Sequence, residues 1–223
     1  MSEQLVFDLP HRPALGADDF LVSACNEAAV EVIDAWPGWP QPVHLIEGPS
    51  GCGKSHLANV WRQKAGAELW EAANLAAPRI SRISPGSAIV LEDLDCSEID
   101  EQSLFHLLNL SKQRGISLLL TARVPPARWD IGLPDLISRL RAVPVAVIGA
   151  PDDILLSAVL LKHFGDRQLN VEPQVIKFLA KRMIRSMEVA NGLVAAIDRA
   201  ALATGKKITR QFSGEILERF QSE

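Results

Sequence analysis

Residues 43–55 read VHLIEGPSGCGKS, and this stretch decides the fold. Its first five residues form a run of strand length, and residues 48–55 fit the pattern G-x-x-x-x-G-K-[ST] in full. Glycines allow backbone N–H groups to curl around an anion, and the N-terminus of a following helix adds partial positive charge. The stretch therefore predicts a buried strand, a phosphate-binding loop and a helix, in that order.

The loop predicts a site for a nucleoside di- or triphosphate. We expect the ammonium group of Lys54 to reach the β- and γ-phosphates, and the hydroxyl of Ser55 to ligate Mg²⁺. Both residues stand where the predicted helix begins, which is where this chemistry requires them. The full set of nucleotide contacts predicted in this segment is Gly48, Pro49, Ser50, Gly51, Cys52, Gly53, Lys54, Ser55 and His56.

Polar residues follow two further apolar runs. Glu92 and Asp93 come directly after the run 89–91, and a carboxylate at a strand end is what a magnesium–nucleotide site needs. We expect Glu92 to join Ser55 at the metal and both acidic residues to take part in catalysis, with Asp95 as an alternative ligand. Thr121 ends another run, and its hydroxyl is expected to orient water near the γ-phosphate.

The chain changes character near residue 150. Before it, apolar strands alternate with helical patterns, which is typical of a parallel sheet covered by helices on both faces. After it, residues 152–221 show only helical periodicity, in about four helices. The predicted strands are 43–47, 68–71, 88–93, 116–121 and 143–148, and the helices predicted among them are 23–36, with Ser23 as N-cap, 54–64 and 100–113.

Composition narrows the class of protein. The 223 residues carry a net charge of -4 and a pI of about 5.8, which argues against DNA as the main partner. Lys181, Arg182 and Arg185, and then Lys206, Lys207 and Arg210, form two small basic groups that we interpret as solvated helix faces. The three cysteines lie far apart, which predicts reduced thiols. Neither a membrane-spanning run nor a signal pattern occurs, so we expect a cytoplasmic protein.

Two arginines are candidates for contact with phosphates. Arg139 precedes the last predicted strand, where it could act as an arginine finger that stabilises charge on the nucleotide of a neighbouring subunit. Arg185 lies in the helical segment and could contact phosphates from there. Each of them, taken alone, could equally be a solvated surface charge.

Together these residues resemble the AAA+ ATPases, and among them the DnaA family, from about residue 18 to residue 221. Segments 104–109 and 116–121 are similar to the surroundings of the family's sensor 1, and Ser138-Arg139-Leu140 is similar to its arginine-finger box. Arg185 falls at the position of its sensor 2 arginine. Residues 19–22 with Asn26 resemble its adenine-contacting segment, which implies base contacts by Phe20, Leu21, Val22 and Asn26.

The resemblance implies a fold and a cofactor. The fold is an α/β AAA+ P-loop NTPase with a five-stranded parallel sheet flanked by helices, plus a small C-terminal all-helical lid. The domains are then a tail over 1–16, the nucleotide-binding domain over 17–150 and the lid over 151–223. ATP or ADP, with Mg²⁺, is the implied cofactor.

The N-terminal tail resembles a short clamp-binding motif, which starts with Gln and ends in spaced large apolar residues. An extended peptide would direct Leu5, Phe7 and Leu9 into a hydrophobic groove on the DNA sliding clamp, while Gln4 hydrogen-bonds at its edge. The resemblance thus implies the β subunit of DNA polymerase III as a partner. The alternative is a tail that packs on its own domain.

The second implied partner is DnaA itself. The family's initiator carries a C-terminal helix-turn-helix domain, whereas this sequence ends at Glu223 directly after the helical segment, so we expect no sequence-specific contact with DNA. The resemblance implies a negative regulator of replication initiation. It would sit on the clamp and use Arg139 to promote hydrolysis of DnaA-bound ATP. A homodimer is a further expectation, since AAA+ modules often self-associate.

The sequence departs from the DnaA family pattern at two places, and two alternative functions are considered. The family usually has two aspartates where this chain has Glu92-Asp93, so we expect weak ATP hydrolysis by the chain alone, and Thr121-Ala122-Arg123 departs from the family's polar segment. An autonomous AAA+ ATPase or helicase loader would show strong turnover or a helicase-binding extension. A small P-loop kinase would have a short lid, against which the long helical segment 152–221 argues.

Overall fold

A computed structural model of the chain describes residues 21–95 and 99–222. The described chain divides into an α/β unit, residues 26–149, and a helical unit, residues 21–25 and 150–222. The sequence prediction had instead placed residues 21–25 with the α/β domain. The predictions for the tail 1–16 and for Phe20 lie outside the described residues. Within these ranges, no helix combines the length and the apolar character needed to cross a bilayer.

A five-stranded parallel sheet forms the centre of the α/β unit, with the order β2-β3-β4-β1-β5. Parallel strands in this order need crossover connections, which the helices between them supply. The predicted fold class, a five-stranded parallel sheet flanked by helices, is therefore confirmed. The strands are β1 (Val43–Glu47), β2 (Glu68–Glu71), β3 (Ala88–Glu92), β4 (Ser117–Ala122) and β5 (Val145–Val147).

Five α-helices accompany the sheet in the described part of this unit. The longest begins where Asp100 accepts hydrogen bonds from the N–H groups of Gln102 and Ser103, at 3.1 and 3.2 Å, which caps the first turn. It ends at Gly115, which takes the left-handed conformation. The helices are α1 (Glu27–Ala35), α2 (Lys54–Ala65), α3 (Ala77–Ile80), α4 (Glu101–Arg114) and α5 (Pro134–Arg141).

The structure corrects several element boundaries. Ser23 is wrong as an N-cap, because the first helix starts at Glu27 with Asn26 before it, and Ser23 instead meets the thiol of Cys25 at 3.0 Å. The last strand is shorter than predicted. Pro144 has no N–H for the ladder, so only its carbonyl takes part, accepting from the N–H of Leu45 at 3.0 Å. Helix α5 was not predicted at all.

Three tryptophans and a histidine form a cluster that packs α2 against β1. Trp39 stacks on the fully buried Trp61 with ring centroids 5.1 Å apart, and Trp36 meets Trp61 edge-on at 6.1 Å. The ring of His44, on β1, lies 4.4 Å from Trp39. Aromatic pairs in these arrangements contribute about 0.5–1.5 kcal/mol beyond their buried area. The cluster therefore anchors the helix that begins at the phosphate loop.

The helical unit has its own apolar core. Its helices bury Leu156, Leu179, Leu193 and Leu217 against one another. Asp152 and Ser186 cap two of them by accepting from the N–H groups of Leu155 and Val189. The four helices predicted for residues 152–221 are confirmed as α6 (Asp153–Asp166), α7 (Pro173–Arg182), α8 (Met187–Thr204) and α9 (Arg210–Ser222).

Candidate nucleotide-binding site

The phosphate loop begins where β1 ends, at the carboxyl edge of the sheet. The N–H of Gly48 donates to the carbonyl of Ala122 at the end of β4, at 3.1 Å. A Cβ atom on Gly48 would lie 2.5 Å from the carbonyl oxygen of Ile148 and 2.7 Å from Sγ of Cys52. Only glycine fits at position 48, because the backbone there passes closely between the carbonyl of Ile148 and the buried side chain of Cys52.

Two glycines give the loop its curvature. Gly51 and Gly53 have φ angles of +67° and +107°, in the region that favours glycine. Gly53 is also the N-cap of α2 and contributes no side-chain acceptor to its first turn. The first N–H groups of a helix lack acceptors within the helix, and together with the helix dipole they form a site for an anion. The loop and α2 therefore have the backbone arrangement that phosphates require.

Lys54 is the buried cation of the site. Its side chain belongs to a residue that is only 6% exposed, and its Nζ donates to the carbonyls of Gly48 and Pro49 at 2.7 and 3.0 Å. The ammonium group thus lies inside the curve of the loop and not in solvent. Burial makes a charge on a bound phosphate interact more strongly with this group than it would in water.

Glu92, Asp93 and Thr121 meet at the ends of two neighbouring strands. The N–H of Asp93, whose φ is +54°, donates to Oγ1 of the fully buried Thr121 at 3.0 Å. The hydroxyl of Thr121 therefore holds the turn that follows β3. Oε1 of Glu92 is buried and has no hydrogen-bond partner among the described residues. A buried carboxylate oxygen without a partner is costly, unless a ligand or cation completes the site.

Magnesium fits this arrangement. Ser55 supplies an exposed hydroxyl in the first turn of α2, and Glu92 supplies the partnerless oxygen. Mg²⁺ usually keeps several waters and takes one or two protein groups together with phosphate oxygens. No cluster of three or more His, Cys, Asp or Glu side chains that could hold a metal occurs in the residues described.

Asp95 has a different partner, which the sequence did not indicate. Its carboxylate accepts from the N–H of Arg123 at 2.9 Å and lies 3.6 Å from Nε of the same residue. The side chain of Asp95 is 6% exposed, so this contact fixes it against the segment after β4. Asp95 is thus engaged with Arg123, whereas Oε1 of Glu92 has no hydrogen-bond partner among the described residues, and a metal ligand role for either stays a prediction.

Arg139 lies far from this loop. It stands in the last turn of α5, its guanidinium is 5.1 Å from the centroid of the Phe105 ring, and it lines a pocket of about 180 Å³ with residues 41–43. Residues 41–43 lie at the start of β1, whereas the phosphate loop follows the end of β1. Five strand residues span about 16 Å. Arg139 is therefore near the amino ends of the strands, opposite the end at which the phosphate loop lies.

Arg185 is engaged within the helical unit. It precedes α8, and its guanidinium donates to a carboxylate oxygen of Asp153 at 2.6 Å and to the carbonyl of Pro151 at 3.1 Å. The side chain is half exposed. This pair ties the start of α6 to the turn before α8. Contact between Arg185 and a nucleotide stays a prediction.

The predicted base contacts fall in both units. Leu21 and Val22 belong to the helical unit, whereas Asn26 belongs to the α/β unit. Asn26 is 1% exposed, and its carbonyl accepts from the N–H groups of Ala29 and Val30, both at 3.1 Å. Its observed role is to begin α1. Binding of a base by these residues stays a prediction, as does contact with His56, which is exposed on α2.

The sheet order, the phosphate loop and the following helices form the P-loop fold that is seen in AAA+ ATPases. Solved structures of this class superpose on the chain. Domain III of the replication initiation protein DnaA from Thermotoga maritima does so with a TM-score of 0.75 and 18% identity, over 90% of this chain and 94% of that one.

Two further AAA+ structures match over most of the chain. AMPPCP-bound DnaA from Aquifex aeolicus gives a TM-score of 0.66 at 20% identity, over 80% of this chain and 63% of that one. The Holliday junction branch migration motor RuvB of Thermotoga maritima gives 0.65 at 14% identity, over 87% and 66%. No protein-family model matches the chain. At these identities the likeness shows the fold, and the AAA+ prediction is confirmed at that level.

Proposed function

We propose that the chain binds ATP or ADP with Mg²⁺ at the phosphate loop and acts on a second AAA+ ATPase of the DnaA type. Support for nucleotide binding comes from the buried Lys54, the curved loop and the partnerless oxygen of Glu92. A DnaA structure of the same fold is bound to AMPPCP. In this proposal Lys54 and the loop N–H groups hold the phosphates, and Ser55 and Glu92 hold the metal, which supplies positive charge at the phosphates.

The position of Arg139 carries the proposal of action on another molecule. Arg139 lines the same pocket as Gln41 and Pro42, which precede β1, so the length of that strand lies between it and its own phosphate loop. An arginine there can reach a nucleotide only on a neighbouring protein. The guanidinium of Arg139 stacks on the ring of Phe105 and has no ion-pair partner among the described residues. Its charge is therefore available to a nucleotide on another protein.

The role that fits best is the one performed by Hda, the regulatory inactivator of DnaA. Arg139 would enter the nucleotide site of DnaA-ATP and stabilise the charge that develops during hydrolysis, converting DnaA to its ADP form. The tail residues Gln4, Leu5, Phe7 and Leu9 would attach the chain to the sliding clamp. The support for the tail is the sequence resemblance alone.

An Arg139→Ala variant tests the proposed finger. We expect stimulation of ATP hydrolysis on DnaA to fall by about 10³-fold or to background, because a finger contributes about 10³–10⁵ in rate. The assay follows conversion of DnaA-bound ATP to ADP in the presence of clamp loaded on DNA. Arg141→Ala, two residues later on the same helix, is the matched control and should retain full stimulation. Equal activity of the Arg139 variant and wild type would refute the proposed role.

The attachment to the clamp has its own test. A chain that lacks residues 1–10, and a Leu5→Ala, Phe7→Ala double variant, should both lose retention on immobilised clamp, while both keep ADP binding. Loss of retention only in the deletion would contradict side-chain recognition. Retention of both would remove the clamp from the proposal and leave the action of Arg139 untouched.

An autonomous ATPase or helicase-loader-like role is the second candidate. The observation in its favour is that Glu92 and Thr121 stand at neighbouring strand ends beside the loop, with one carboxylate oxygen still partnerless. Steady-state hydrolysis by the isolated chain separates the two proposals. Turnover that Glu92→Gln abolishes, with no effect of DnaA, would favour this second role.

A further inference from the structure

The helical unit contains a strongly basic segment. Residues 177–210 carry eight Lys and Arg side chains against two carboxylates, although the whole chain has a net charge of -4. The positive charge is therefore local, and the acidic residues lie mainly elsewhere. From sequence these residues were interpreted as two groups on solvated helix faces. The structure brings members of both groups together.

Phe178 joins the two basic groups. The guanidinium of Arg182, in the last turn of α7, is 4.6 Å from the centroid of this ring, and that of Arg210, the first residue of α9, is 4.9 Å from it. Gly214 of α9 lies next to the same ring, since a Cβ atom there would be in ordinary van der Waals contact with it, at 3.4 Å. Two cations from different helices are thus fixed on one side chain, with less than about 10 Å between them.

Neither guanidinium has a carboxylate within ion-pair distance in the ranges that the structure describes. Two acidic residues of the neighbouring segments have other contacts, since Glu172 accepts from Gln174 and Glu215 accepts from Gln211. Three exposed lysines are close to the pair in sequence: Lys181 immediately precedes Arg182, and Lys206 and Lys207 lie four and three residues before Arg210. Like charges held together without counter-ions repel each other, and this cost is relieved by a bound polyanion.

We propose that this surface, formed by Arg182, Arg210, Lys181, Lys206 and Lys207, binds the phosphate backbone of duplex DNA without reading its sequence. A guanidinium plane matches two phosphate oxygens at once, and the exposed lysines nearby in sequence add positive charge that suits a continuous line of phosphates. The proposal goes beyond the function above and does not depend on Arg139 or on the clamp.

The chemistry of the surface favours duplex over single-stranded DNA. Proteins that hold single strands stack bases on open aromatic rings. Here two guanidinium groups and the backbone at Gly214 lie against Phe178, the ring at the centre of the surface, and it is only partly exposed. Contacts with phosphates position a protein without specifying a sequence. The surface therefore fits the outside of a duplex.

The experiment measures binding of the full chain to a fluorescent 20-base-pair duplex by anisotropy, with saturating ADP to occupy the phosphate loop. With about four phosphate contacts, the slope of log K against log salt should be about -3.6. An Arg182→Gln, Arg210→Gln double variant should bind at least about tenfold more weakly at 100 mM salt, and its slope should shrink by about 2. The Arg182→Lys, Arg210→Lys variant should keep most of the slope.

Arg219→Gln is the matched control. It removes the same charge from the same helix, nine residues after Arg210, which places it about half a turn round on the opposite face. Weakening by this control equal to that of the double variant would overturn the proposal. Unchanged binding by the double variant, or tighter binding of a single strand, would also overturn it. If polyglutamate displaced the duplex as effectively as unlabelled duplex does, the surface would instead be assigned to an acidic protein partner.

Discussion

His44 shows how a single residue links this fold to pH. It is 5% exposed on β1, its ring lies against Trp39, and its Nδ1 has no hydrogen-bond partner in the described chain. Burial disfavours the charged imidazolium and lowers the pKa of His44 below its usual value of 6.5. The same cause, helped by the charge of Arg167, lowers the pKa of His163 in the helical unit.

We predict that the free energy of unfolding decreases as the pH falls below about 6.5. In that range the unfolded chain takes up a proton at these histidines while the folded chain does not, so acid favours unfolding until the folded pKa is reached. His44→Gln should flatten this part of the profile, as measured by urea denaturation followed by circular dichroism between pH 5 and 8. His106→Gln, at an exposed position on α4, is the control substitution.

Single residues of the site were predictable only where a local pattern dictates their chemistry. The loop glycines and Lys54 follow from eight consecutive residues, and the structure places them around one another. The contact between Thr121 and the N–H of Asp93 joins residues 28 apart, and the contact of Asp95 with Arg123 does the same. Such pairings depend on which strands are neighbours, which a single sequence does not state.

At the level of elements, α5 depends on a contact with another helix. It begins at Pro134 after Leu133, which gives no side-chain cap. The carboxylate of Glu101, in the first turn of α4, instead accepts from the N–H groups of Gly132 and Leu133 at 2.8 and 2.7 Å. Glu101 therefore fixes the segment that leads into the helix of Arg139.

We predict that Glu101→Ala loosens α5 without affecting the phosphate loop. Loss of two hydrogen bonds to a partly exposed carboxylate should cost about 1–2 kcal/mol. Hydrogen exchange at residues 132–141 should accelerate, and stimulation of DnaA should fall, while ADP affinity stays the same. Gln102→Ala, at the exposed neighbouring position, serves as control. Unchanged exchange in the Glu101 variant would show that the helix is held by its apolar contacts.

The elements predicted best were those with buried, continuous apolar runs. The strands 43–47 and 68–71 have the predicted limits, and the four helices after residue 150 were expected from their periodicity. The apolar pattern is weaker for α5, which has eight residues and buries only Leu136 and Leu140, and for α3, which has four residues. Short helices depend on tertiary contacts more than on their own periodicity.

For the whole molecule, nucleotide binding should increase the free energy of unfolding. We predict that ADP at 100 times its Kd raises the free energy of unfolding by about 2.7 kcal/mol, because ligand binds the folded chain alone. Lys54→Ala should greatly reduce this gain in a thermal-shift titration. Lys64→Ala is the control on the same helix. Its ammonium donates to the carbonyls of Ile33 and Asp34, so the variant should start less stable yet keep the ADP-dependent gain.

The aromatic cluster around Trp61 has a practical consequence. The chain contains five tryptophans and no tyrosine. All five tryptophans, Trp36, Trp39, Trp61, Trp70 and Trp129, belong to the α/β unit. Emission excited at long ultraviolet wavelengths therefore comes from one half of the molecule, and the four C-terminal helices are silent. A melting curve followed by tryptophan fluorescence therefore reports unfolding of the α/β unit alone, without any added dye.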